Sequence, residues 1–136
     1  MRYKFYFISI LLMVNSLVMI AQNSSDDMII RLSEIEVYPE FLSDYLTFAK
    51  EIDRKSMEHE EGVICLYPVQ LKEDSTQIRI LEIYKNKDAY QKHIASEHFQ
   101  KYKKGTLHMV KHLKLTDVKA LDPDFMHKIF LKELSK

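Results

Sequence analysis

From Met28 to Val37 the chain alternates: Ile30 and Leu32 share one face, Ile29, Ile35 and Val37 the other, and Glu34 interrupts the pattern. This alternation predicts a β-strand. Pro39 then suits the first turn of a helix. From Phe41 the apolar positions Phe41, Tyr45, Phe48, Ala49 and Ile52 recur at helical spacing, with Asp44, Lys50, Glu51, Asp53 and Arg54 elsewhere on the cylinder. The stripe predicts an amphipathic helix ending near His59, with Gly62 just beyond it. Val63 to Tyr67 reads as a second strand, Lys72 to Thr76 as a polar turn and Gln77 to Tyr84 as a third strand, the middle two pairing as a hairpin. Lys87 to Ala95 and Ser96 to Lys104 read as two helical pieces, with Ser96 as N-cap and Gly105 as the stop. A last strand from about His112 to Val118 completes β-α-β-β-α-β. This order predicts an α+β, ferredoxin-like fold with an antiparallel sheet.

The third strand is apolar on both sides. Ile78, Ile80 and Tyr84 share a face with Glu82, and Leu81 and Ile83 share the other with Arg79. Helices on one side of the sheet would leave the second face wet, so a homodimer through sheet faces is expected. The alternative is a monomer whose segment Phe125 to Leu134, read as a short terminal helix, folds back over that face.

The termini refine this picture. Arg2 and Lys4 precede an apolar run from Phe5 to Ile20 that ends at Ala21, the order of a secretory signal. The expected division is a signal peptide at 1–21, a polar spacer at 22–27, one domain at 28–118 and an extension at 119–136. The expected location is outside the cytoplasm, periplasmic or secreted, with no membrane attachment after cleavage. The 20 basic and 20 acidic side chains of the 136-residue chain balance, and loss of Arg2 and Lys4 leaves a net charge near −2. No basic field for nucleic acid results. Cys65, the single cysteine, excludes an internal disulfide and reads as inert core.

The densest chemistry lies between Glu82 and Tyr102: one carboxylate (Glu82), two imidazoles (His93, His98) and two phenols (Tyr84, Tyr102). His93 and His98 would splay on one unbroken helix, and a break at Ser96 lets both point inward. Such a set can bind a small aromatic ligand and move its protons. His108 and His112 have a spacing that suits zinc only on a helix, and the strand signal after Val110 argues against one. No metal is expected, and no Gly-rich phosphate loop is present.

The order of elements, E-E-G-V-I-C-L-Y after the first helix, I-R-I-L-E-I-Y in the third strand and D-A-Y-Q-K-H-I-A-S-E-H-F-Q-K-Y together resemble the antibiotic biosynthesis monooxygenase domain, over Met28 to Val118. The resemblance implies a dimeric α/β barrel and a cofactor-independent monooxygenase. Its substrates would be a small electron-rich aromatic, hydroquinone-like, and dioxygen. The substrate supplies its own electrons, so the protein's task is to take a phenolic proton, which a histidine or a carboxylate raised by burial does best near neutral pH. His93 and His98 match the family's spaced histidines and are the expected catalytic pair. Glu82 matches the acidic residue of its strand motif, and with Tyr84, Phe99, Tyr102 and Leu66 it is expected to bind substrate. Where the haem-degrading branch needs Asn, Trp and His, this chain has Ser33, His93 and Lys103, and it has no Trp at all. Haem degradation is therefore not expected. A non-catalytic ligand-binding dimer and an isomerase on the same fold are the alternatives.

Overall fold

The structure is a computed structural model and describes residues 27–123. The signal sequence, nearly all of the spacer and the terminal helix expected from Phe125 lie outside the described residues. The elements are β1 (Ile29–Val37), a 3-10 turn (Pro39–Phe41), α1 (Leu42–His59), β2 (Val63–Gln70), β3 (Gln77–Tyr84), α2 (Lys87–Ala95), α3 (Glu97–Thr106) and β4 (Val110–Val118). The strands form one antiparallel sheet in the order β2-β3-β1-β4. This is the ferredoxin-like arrangement expected, with the second helix in two pieces.

Two apolar clusters tie the helices to the sheet. One joins Ile35, Val37, Tyr45, Ile78 and Met109; the other joins Val63, Tyr84 and Ala89. On β1 the residues facing the helices, Ser33, Ile35 and Val37, are buried. On the opposite face the pairs Tyr67–Leu81, Leu81–Leu32 and Ile83–Ile30, and then Ile30–Val118, run across all four strands. Leu32, Tyr67 and Val118 on that face are exposed. Within the described residues no helix is long and apolar enough to cross a membrane.

Caps set the turns between the helices. The Asn86 side chain accepts from the Ala89 amide at 2.9 Å and starts α2. Ser96 is extended (φ −64°, ψ 150°), accepts from the Phe99 amide at 3.2 Å and donates its hydroxyl to the His93 carbonyl at 2.7 Å. One residue therefore ends α2 and begins α3.

Three boundaries depart from the sequence reading. β2 runs on to Gln70, because its pairing with β3 continues through Val69 opposite Arg79 and Gln70 opposite Ile78. β4 begins at Val110, earlier than His112, because Val110 already pairs with Val37. Gly105 lies inside α3 and is not its stop. A Cβ there would stand 2.5 Å from the Phe48 ring, so its role is close helix packing. Gly62 plays the same part against α2, where a Cβ would stand 2.4 Å from the Ala89 Cβ. Gly62→Ala should cost about 1–3 kcal/mol by overpacking, read as a lowered urea midpoint at unchanged slope; a midpoint equal to wild type would show that α2 yields freely.

Candidate functional site

A cavity of about 140 Å³ opens between the sheet and the three helices. Its floor is Ser33 and Ile35 of β1, Ile80, Glu82 and Tyr84 of β3, and Leu66 of β2, which pairs with Glu82. Ala49, Ile52 and Asp53 of α1, Tyr90, His93 and Ile94 of α2, and Phe99 and Tyr102 of α3 close it from above. Arg31 stands at one side, and Leu113 and Leu115 of the edge strand β4 at another. Most of the wall is apolar, and the volume is close to the ~150 Å³ that holds benzene in a dry engineered cavity.

Its polar groups divide into satisfied and open ones. Glu82 accepts the hydroxyl of buried Ser33 on one oxygen and that of Tyr84, at 2.8 Å, on the other. The Tyr45 and Tyr102 hydroxyls share a 2.7 Å hydrogen bond. Burial drives all three tyrosine hydroxyls upward in pKa, for Tyr84 with help from the Glu82 charge, so they act as donors and not as bases. Arg31 is held by Asp117 (Nε to Oδ1, 2.7 Å) and by the Tyr90 hydroxyl (2.8 Å), with its guanidinium 4.8 Å from the Tyr90 ring centre. Asp53 makes no hydrogen bond of this kind. Burial, reinforced by the Glu82 charge, pushes its carboxyl up to about 6. It is a carboxylate poised to take or give a proton near neutrality.

His93 is 3% exposed. Its ring packs against Tyr84 and Phe99, and its Nδ1 lies 3.0 Å from Oε1 of Glu60. Nε2, on the opposite edge, has no hydrogen bond among the described residues. A carboxylate holding one nitrogen of a cavity histidine fixes its tautomer and leaves the other as the proton acceptor. His98 stands elsewhere: its Nε2 meets the same Glu60 oxygen from outside, and its ring does not line the cavity. Glu60 is opposed by burial, yet the hydrogen bonds of His98 and His93 outweigh this and hold its carboxyl below the usual range.

The structure thus brings His93, Glu82, Tyr84, Phe99, Tyr102 and Leu66 to one cavity and sets His98 behind His93. The break at Ser96 does turn both histidines toward one carboxylate, which is Glu60 and not Glu82. Sequence reasoning missed Asp53, Glu60, Arg31 and Tyr90. Asp53 follows Ile52 directly on the helix, so its place at the stripe's edge was the only signal. Glu60 opens the quoted E-E-G-V-I-C-L-Y stretch, but nothing there ties it to the histidines some thirty residues on. His108 lies in the turn before β4 and His112 on β4, so their spacing is not helical.

The family model for antibiotic biosynthesis monooxygenases matches residues 28–105, more than half of the chain. The chain belongs to this family. A proposed antibiotic biosynthesis monooxygenase from Bacteroides thetaiotaomicron is 45% identical over 71% of this chain and 92% of its own, with a TM-score of 0.70. A proposed monooxygenase from Lactobacillus acidophilus is 25% identical over 69% of this chain and 45% of its own, at a TM-score of 0.67. A proposed family member from Nitrosomonas europaea shares the fold at 16% identity, covering 71% of this chain and 93% of its own, with a TM-score of 0.66. No curated protein matches. The chain therefore has a monooxygenase-family fold with a preformed cavity between sheet and helices.

Asp53 gives the site a pH signature. Its folded value near 6 lies above its ordinary 3.8, so the folded state holds a proton that the unfolded chain has released. Stability should fall as pH rises from about 4 to 6 and level off above, and Asp53→Asn should gain on the order of 2 kcal/mol at pH 7 but little at pH 4. Denaturant titrations at the two pH values check this; an equal change at both would remove the titration of Asp53 as its cause.

Proposed function

We propose that the protein is a cofactor-independent monooxygenase acting on a single-ring hydroquinone-like aromatic. The observation that carries this reading is a ring-sized apolar cavity edged by two groups able to accept a phenolic proton, His93 through Nε2 and Asp53. Deprotonation raises the ring's electron density so that it reduces dioxygen itself. A C–O bond forms at a ring carbon, and loss of one water from the resulting hydroperoxide leaves a hydroxyquinone. One oxygen atom enters the product, the other leaves as water, and all the electrons come from the substrate. Tyr102, protonated at working pH and able to accept from Tyr45, serves as donor to a substrate oxygen, while Tyr84 spends its proton on Glu82 and helps Phe99 and Leu66 hold the ring. His98 acts through Glu60 on the orientation of His93, as a positioning residue. Larger rings would extend along β4, where Ile94, Phe99, Leu107, Val110, Leu113 and Leu115 line a groove continuous with the cavity.

The apolar outer face of the sheet supports a homodimer formed face to face, burying Leu32, Tyr67 and Val118. The signal-like segment through Ala21 supports export, which would have the enzyme meet its substrate outside the cytoplasm.

Oxygen uptake on a panel of benzo- and naphthohydroquinones, corrected for autoxidation, tests the activity. Uptake should rise with pH through about 6, following Asp53. His93→Ala should lower it about 10²-fold or more, in the range of general-base catalysis. Saturable binding without uptake by wild-type protein would instead favour a ligand-binding module. Light scattering after size exclusion should give a dimer that Tyr67→Glu dissociates; a monomeric wild type would point to the C-terminal extension as the cover of that face.

A further inference from the structure

Three side chains converge behind the cavity, on the far side of the His93 ring: Glu60 from the end of α1, His93 from the last turn of α2 and His98 from the first turn of α3. Their ligating atoms all lie within 4.8 Å of one another. His93 Nδ1 is 3.0 and 3.2 Å from the two Glu60 oxygens, and His98 Nε2 is in contact with Oε1. Ligands in a tetrahedral zinc site stand roughly 3.3–3.5 Å apart at ordinary bond lengths. Enclosing an ion asks the His98–Glu60 contact to open by about 1 Å or less, which rotation of the His98 side chain, the most exposed of the three at 16%, can supply.

We propose that Glu60, His93 and His98 form a binding site for a transition-metal dication of the zinc class, behind the cavity and sharing only His93 with it. Two imidazoles and one carboxylate are a borderline N2O donor set that suits such ions better than calcium or magnesium. The setting favours a cation in two further ways. Glu60 is the C-terminal cap of α1, where the helix end carries partial negative charge that a carboxylate opposes and a dication relieves. Ser56, one turn earlier on α1, is completely buried, and among the described residues its hydroxyl has no hydrogen-bond partner. It is available to support the carboxylate.

Three protein ligands leave a fourth position. A water molecule would fill it, as in other sites with three protein ligands. Neither histidine's far nitrogen is held by a protein group, which lowers the expected affinity by about 10–100-fold relative to a site with a full outer shell. An ion on Nδ1 also keeps Nε2 protonated, so that the His93 edge toward the cavity becomes a donor. The assignment itself does not depend on what the cavity binds.

The test uses the full chain without a polyhistidine tag, stripped with chelator and titrated with Zn²⁺ by calorimetry and with Co²⁺ by visible absorption. One-to-one binding and the intense d–d bands of four-coordinate cobalt are expected. Glu60→Gln and His98→Ala should each weaken binding by at least about 10-fold, while the double substitution of His108 and His112 by Ala leaves it unchanged. Far-UV circular dichroism in chelator checks that the variants fold; if they do not, X-ray absorption on the zinc-loaded wild type must show two imidazoles. No saturable uptake at millimolar Zn²⁺, or affinity unchanged in both Glu60→Gln and His98→Ala, would overturn the site and leave a hydrogen-bonded His–Glu–His cluster.

Discussion

The extended backbone of Ser96 is the constraint on which the site depends. Its hydroxyl both closes α2, by donating to the His93 carbonyl, and opens α3, by accepting from the Phe99 amide. Without that interruption a continuous helix would carry His93 and His98 on different faces. With it, α3 turns back across the sheet so that Phe99 and Tyr102 cover the cavity while His98 reaches Glu60 from outside. One serine thus fixes where the aromatic wall stands, which nitrogen of His93 is engaged and how α3 packs on α1 through the close approach of Gly105 to Phe48.

Around that turn the polar groups fall into layers with separate tasks. Glu82 on the floor is a carboxylate already satisfied by two hydroxyls, so it holds charge in place. Asp53 above it has no such donor among the described residues, and burial together with the Glu82 charge pushes its carboxyl up to about 6. Two carboxylates in one cavity with unlike environments is how a single pocket keeps one anion and one exchangeable proton. His93 adds a second acceptor whose tautomer is set by Glu60. The tyrosines, driven upward by desolvation, supply donors only.

The family model and the similar structures account for the fold. Roles of His93, Asp53 and Glu60 rest on distances and environments within this chain. That division follows from physics: packing of a sheet against helices is satisfied by many sequences of similar volume and pattern, whereas the tautomer of an imidazole or the protonation of a carboxylate responds to single neighbours.

Read alone, the sequence determined the elements and their order. Period-two and helical patterning, Pro39 and Ser96 are local signals, and local signals persist in the linear chain. It also marked His93, Glu82, Tyr84, Phe99, Tyr102 and Leu66 as neighbours, because β3 feeds directly into α2 and α3 and the resemblance covers that stretch. What it did not contain was the partner of each group. Asp53 is a helix-edge charge like Asp44 until the sheet beneath it is present, and Glu60 is one of several acidic residues after α1 until α2 and α3 bring two imidazoles to it. Glycines 62 and 105 likewise read as helix stops and are contact points between helices. Only the tertiary structure decided these, because desolvation and convergence of side chains depend on segments distant in sequence meeting in space.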